Sequence, residues 1–130
     1  MSDVIKVFAV DDEMVNLKLL QKILMDGYEL KTCSSSVDAF EAAREFNPDV
    51  ILLDVFMPEK DGFAVLGEIK SDDLLNDKPI AFACADDSVD LITRAFECGA
   101  DDYFIKPFKP PLLRRHVDNL YKLGTLKKNA

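Results

Sequence analysis

Residues 49–58 read DVILLDVFMP. Val50 to Leu53 form an apolar run of strand length with no polar alternation, the pattern of a strand covered on both faces. The run stops at Asp54, a carboxylate that water would otherwise solvate. Such a strand needs neighbours on both sides and helices over both faces of its sheet. The rest of the chain should therefore alternate strands with helices.

It does. The segment VIKVFAV (4–10) reads as a mostly apolar strand. A first helix follows, with Val15, Leu19, Leu20, Ile23 and Leu24 on one face, closed by Gly27. YELKTC (28–33) alternates polar and apolar residues, as an edge strand would. Ser36 reads as the N-cap of a second helix burying Ala39, Phe40, Ala43 and Phe46, which Asn47-Pro48 breaks. After the third strand, DVILL, and a loop over 55–62, Phe63 to Ser71 predict a third helix and then a polar turn to Pro79. PIAFACA (79–85) is a fourth strand. Ser88 or Asp87 caps a fourth helix carrying Leu91, Ile92, Ala95 and Phe96, and Gly99 ends it. DYFIK (102–106) is a fifth strand. Pro110 or Pro111 opens a last helix through Leu113, Val117 and Leu120. Gly124 ends or bends that helix, leaving TLKKNA as a polar tail.

Five strand–helix units with right-handed crossovers predict an α/β fold. The expected form is a flavodoxin-like (βα)5 three-layer sandwich around a parallel five-stranded sheet in order 2-1-3-4-5. That order places the two most apolar strands, VIKVFAV and DVILL, at the centre and YELKTC on an edge.

The 130 residues suit one domain, and 48% hydrophobic content suits a packed core. A formal charge of −8 argues against direct nucleic-acid binding, which needs a basic patch. No apolar stretch approaches the roughly 20 residues that cross a bilayer, so no membrane partner is expected. No cationic-then-apolar leader opens the chain. Cys33, Cys84 and Cys98 are odd in number and have no CxxC spacing, which points to the reducing cytosol.

All strands of a parallel sheet end at one edge, and ligands bind there, at the switch in strand order. Strand one ends in Asp11-Asp12, strand three in Asp54, strand four near Cys84-Ala85, strand five in Lys106. Singly, each has a plain structural explanation: Asp12 a helix cap, Asp54 a turn opener, Lys106 a solvated strand end. Together, Asp11, Asp12 and Asp54 share one crevice, where like charges resist joint ionisation. A hard divalent cation, Mg²⁺ (or Mn²⁺), removes that conflict with oxygen ligands and commonly bridges carboxylates to phosphate. The arrangement predicts a metal-assisted phosphoryl site.

With VDDE after strand one, LLDVFMPEKDGF around Asp54 and GADDYFIKPF around Lys106, the chain resembles the receiver domain of two-component response regulators, the family of the bacterial chemotaxis receiver. The resemblance runs from Val4 to about Leu123, within a proposed domain of residues 1–123, with 124–130 left as a polar tail or the start of a linker. It implies that Asp54 accepts a phosphoryl group from the phosphohistidine of a sensor histidine kinase or a phosphotransfer protein. It implies that Asp12 binds Mg²⁺ directly, Asp11 through water, and that Asp54 and the backbone carbonyl of Phe56 complete the protein ligands. Lys106 would contact the phosphoryl oxygens, with a cis bond to Pro107. Tyr103 matches the aromatic that swings inward on phosphorylation, and Ala85 the small residue that admits the donor. Phe56 and Asp86 match the positions that tune hydrolysis of the acyl phosphate. The implied output is a changed surface around strand four, helix four and strand five, read by a downstream protein or effector domain. Conventional substrate turnover is not implied, and homodimerisation through the last helices stays open.

One position departs from the family pattern. Where the family has Thr or Ser at the end of strand four, bonding the phosphoryl group and coupling to the aromatic, this chain has Cys84, and a thiol is a weak donor. Cys33 and Cys98 read as small core residues, and His116 as a surface residue. Two other functions compete. A docking module independent of phosphorylation is kept alive by Cys84. A phosphatase resembling the haloacid-dehalogenase type would carry a second Asp two residues after its nucleophile, where this chain has Phe56.

Overall fold

The computed structural model describes residues 4–128. The strands β1 (Ile5–Val10), β2 (Tyr28–Cys33), β3 (Val50–Asp54), β4 (Ile80–Cys84) and β5 (Asp102–Ile105) alternate with the helices α1 (Met14–Ile23), α2 (Ala39–Phe46), α3 (Gly62–Lys70), α4 (Val89–Glu97) and α5 (Pro110–Lys128). All pairings are parallel, in the order β2-β1-β3-β4-β5. This is the predicted flavodoxin-like sandwich.

The register explains why the chain can spend its most apolar residues on β3. Val10 lies opposite Leu53, and Asp54 opposite Ala83. Every residue of β3 and β4 is buried. One core layer gathers Phe8, Ile51, Leu53, Ile80 and Phe82 with Val65, Leu66 and Ile69 of α3. The other gathers Val7, Ala9, Leu52 and Ala81 with Leu20 and Ile23 of α1 and Leu113, Val117 and Leu120 of α5. Alternate strand residues face opposite layers, so a continuous apolar run is what a doubly covered strand requires. β2, paired only with β1, keeps Glu29 and Lys31 in water.

Several local expectations need correction. Val15 is exposed and Leu17 takes the core position, because α1 begins one residue before Val15 and turns its first residues toward solvent. The helix closes at Leu24 rather than Gly27; Gly27, at φ 89°, makes the turn into β2. Ser36 is not the cap of α2. Asp38 precedes that helix, and Ser36 points inward with its hydroxyl on the Pro58 carbonyl at 3.0 Å. Phe40 and Phe46 are half-buried and Phe96 is exposed, since α4 sinks only Ala95 fully. Ser88 does cap α4, accepting from the Leu91 N–H. Cys98 is exposed, not a core residue, whereas Cys33 packs against the core edge. His116 is half-buried, with Nδ1 2.7 Å from an Asp102 carboxylate oxygen and its ring on Phe104.

The largest departure is at α5. It runs through Gly124 to Lys128, so Gly124 does not end it; of the segment read as a polar tail or the start of a linker, residues 124–128 are helical, and residues 129–130 lie outside the described residues. Gly124 is there for space. A Cβ on it would stand 3.0 Å from the Pro79 ring, and Lys127 beyond it pairs with Asp101 at 2.9 Å. No helix among the described residues is long and apolar enough to cross a membrane.

Candidate functional site

The carboxyl ends of β1, β3 and β5 deliver Asp11, Asp54 and Lys106 to one crevice. Asp11 and Asp54 are 2% and 5% exposed, held there by strands that cannot shift without disturbing the core. Asp12, next in the chain, stays exposed at the rim. Carboxylate oxygens of Asp11, Asp12 and Asp54 lie within 4.8 Å of one another. The Lys106 ammonium donates to Asp11 at 2.8 Å and stands 3.3 Å from Asp54. Asp11 also accepts from the Glu13 N–H at 2.9 Å, which fixes its carboxylate toward the crevice.

Charge in the crevice does not balance. Three carboxylates face one ammonium. Burial pushes the Asp54 carboxyl up from 3.8 to about 6; Lys106 pulls it down, while Asp11 and Asp12 add to the rise. For Lys106 the balance goes the other way. Burial works against its charge, but the bonds and charges of Asp11 and Asp54 hold its pKa above the usual value. The surplus negative charge and an all-oxygen donor set, with neither His nor Cys in the group, fit a hard divalent cation.

The loop after Asp54 is pinned at its base. Gly62 N–H donates to the Val55 carbonyl at 2.8 Å, and a Cβ at Gly62 would come within 2.2 Å of the Asp54 carbonyl oxygen. Within this loop Met57 is buried and Phe56 is 61% exposed, so the Phe56 side chain stands out from the surface beside the crevice. At the next strand end, the Cys84 sulfur accepts from the Asp86 N–H at 3.5 Å. Tyr103 packs against the core from β5, and its hydroxyl donates to the Asp86 carbonyl at 2.7 Å. Burial, then the contact with Cys84, pushes the Tyr103 hydroxyl well above its ordinary value. Ala85 is exposed beside this pair. The Lys106-Pro107 bond is cis.

The predicted residues Asp11, Asp12 and Asp54 thus meet within 4.8 Å of one another, with Lys106 on Asp11 and Asp54, and Cys84, Asp86 and Tyr103 form an adjoining cluster. Sequence reasoning missed the Ser36 hydroxyl on the loop after Asp54, because a serine before a helix reads first as a cap.

The family model described as the response regulator receiver domain matches residues 7–118. The chain belongs to the response regulator receiver domain family. Among curated proteins, a probable transcriptional regulator ycf27 from Guillardia theta is 40% identical over 114 residues, covering 86% of this chain and 43% of the relative. The transcriptional regulatory protein PrrA from Mycobacterium tuberculosis is 38% identical over 104 residues, covering 79% and 44%. This chain therefore spans less than half the length of these two relatives. Among solved structures, the chemotaxis protein CheY4 from Vibrio cholerae superposes with a TM-score of 0.85 at 28% identity, covering 91% of this chain and 99% of that one. The receiver domain of a sensor histidine kinase from Pseudomonas aeruginosa superposes at 0.84 with 25% identity, covering 92% and 99%; it has a magnesium ion coordinated in its active-site cleft.

Proposed function

We propose that this receiver domain is a phosphorylation-activated signalling switch whose acceptor is Asp54. The observation that carries the reading is the meeting of Asp11, Asp12 and Asp54 within 4.8 Å, with Lys106 bonded to Asp11 and in ion-pair reach of Asp54. An Asp54 carboxylate oxygen attacks the phosphorus of a phosphohistidine on a sensor kinase or phosphotransfer protein. The P–N bond breaks, the imidazole leaves, and an acyl phosphate remains on Asp54. Asp12, Asp11 through water, Asp54 and the Phe56 carbonyl would hold Mg²⁺ (or Mn²⁺), which when bound supplies charge stabilisation to the transferring phosphoryl oxygens. Lys106 supplies the same from the β5 side, and because β5 fixes it in advance it costs no reorganisation during transfer. Ala85, exposed and small, leaves the donor room. Phe56 and Asp86 flank the mouth and govern the access of water to the acyl phosphate.

Phosphorylation then alters the surface of β4, α4 and β5 for a downstream protein or effector domain. Cytoplasmic residence and the absence of a direct nucleic-acid contact by this domain belong to the same proposal, as does homodimerisation through the last helices as one route of output. Peptide mapping after reaction with acetyl phosphate and Mg²⁺ tests the acceptor. The label falls on the peptide containing Asp54, and a label elsewhere overturns the assignment.

A second reading, phosphorylation-independent docking, is favoured by one cluster. The Tyr103 hydroxyl is tied to the Asp86 carbonyl, and Cys84 offers a thiol where the family uses a hydroxyl. Partner binding that ignores the phosphodonor would establish it.

A further inference from the structure

Ser36 is a buried polar residue, 4% exposed, in the connection from β2 to α2. Its hydroxyl does nothing for its own helix. It crosses to the loop after Asp54 and donates to the Pro58 carbonyl at 3.0 Å. The same carbonyl accepts from the Lys60 N–H at 2.8 Å. Between them lies Glu59 at φ 70°, a left-handed conformation that a side-chain-bearing residue adopts only when its surroundings impose it.

The loop therefore has two anchors on opposite sides of Phe56. One is the Gly62 bond to the Val55 carbonyl at its base. The other is Ser36 at its tip, reinforced by the buried Met57 side chain. We infer that Ser36 is a positioning residue for the cation site, holding the loop so that the Phe56 carbonyl points at the crevice. This rests on the proposed Mg²⁺ site.

The physical reason is the weakness of a neutral ligand. A carboxylate attracts a dication by its full charge, but a single neutral carbonyl contributes only if it is already aimed. Phe56 adds no anchor of its own, since its side chain is exposed. The hydroxyl's acceptor, Pro58, lies two residues further on, where a small rotation of the loop would carry the Phe56 carbonyl away. Partners that orient ligating groups typically change affinity by about 10- to 100-fold. One bond at one remove from a neutral ligand belongs at the lower end.

The test is Mg²⁺ titration by NMR on wild type, Ser36→Ala, Ser36→Gly and Asp12→Ala, with amide hydrogen exchange on the metal-free proteins. In both Ser36 variants the Mg²⁺ Kd rises about tenfold. Exchange quickens for the Lys60 amide, while the β3 amides stay as protected as in wild type. A merely structural role would lower stability and leave the Kd alone. An unchanged Kd in both Ser36 variants, with Asp12→Ala weakened, overturns the role of Ser36 and leaves the metal site standing. A wild type that binds no Mg²⁺, or an Asp12→Ala that binds as well as wild type, overturns the metal site and this role with it.

Discussion

Asp54 is under opposing demands. A buried carboxylate resists ionisation, and the nucleophile proposed here must be ionised to attack. Its pKa of about 6 against 3.8 has a definite consequence for metal-free stability. A raised carboxyl pKa means that the folded state holds its proton more tightly than the unfolded chain. Below about 4 both states are protonated and nothing is lost. Stability falls as pH rises from about 4 to about 6, and the full penalty, on the order of 2–3 kcal/mol, persists above that. Asp54→Asn should therefore melt higher than wild type at pH 8 without metal and lose the advantage near pH 4. Thermal melts across that range check it, and an equal difference at every pH would refute it. Mg²⁺ should stabilise wild type more at pH 8 than at pH 5, since the protonated acid is a poor ligand.

Cys84 is the residue on which the proposed switch turns. A hydroxyl bonded to a charged phosphoryl oxygen contributes roughly 1.5–3 kcal/mol, and a thiol much less. If that bond forms only in the active arrangement, its weakness reduces the population shift by about tenfold or more. Wild type should take up the phosphoryl group normally but reorganise Tyr103 and α4 only in part, and Cys84→Thr should enlarge the change. NMR shifts of Tyr103 with and without beryllofluoride measure it. A full change in wild type, equal in Cys84→Thr, would show the hydroxyl to be dispensable.

Elements place these residues, and two glycines show how tightly. At Gly62 any Cβ meets the Asp54 carbonyl oxygen at 2.2 Å, a backbone atom that cannot yield without moving β3. Gly62→Ala should destabilise by roughly 3 kcal/mol or more and weaken Mg²⁺ binding, as melts and titration would report. At Gly124 the neighbour is the Pro79 ring at 3.0 Å, where α5 crosses the start of β4. Gly124→Ala should cost less, about 1 kcal/mol, because the last turn of a helix can tilt away.

These elements were legible to different degrees. β3 and β4 are unbroken apolar runs and β2 alternates, so their period identified them. Tertiary contacts decided the rest. Ser36 has the composition of a cap, and only the approach of the 55–61 loop makes it a tether. Gly124 looks like a helix stop, and only the neighbouring Pro79 explains a glycine inside α5. Phe96 fits a helical apolar stripe, yet α4 meets too little of the sheet to cover it.

For the whole molecule, the parallel topology does the chemistry's positioning. Strands adjacent in the sheet end at one edge, so residues 11, 54 and 106, far apart in the chain, become neighbours. That is why the convergence of Asp11, Asp12, Asp54 and Lys106 could be read from strand order and motif spacing, while the geometry of the Tyr103–Asp86–Cys84 cluster could not. It depends on the conformation of the β4–α4 loop, where a backbone carbonyl, invisible to sequence patterns, takes the tyrosine bond. At this scale Asp12→Ala should lose most Mg²⁺ affinity while the metal-free protein becomes no less stable, because one of three repelling carboxylates is gone. A drop in metal-free melting temperature would show that Asp12 supports the fold instead.

The most direct measurement is the intact mass of the protein after incubation with acetyl phosphate and Mg²⁺, in wild type and Asp54→Asn. Wild type should gain one phosphoryl group, only when Mg²⁺ is present, and Asp54→Asn none. Uptake by Asp54→Asn at the wild-type rate, or no uptake by wild type with Mg²⁺, would contradict the account.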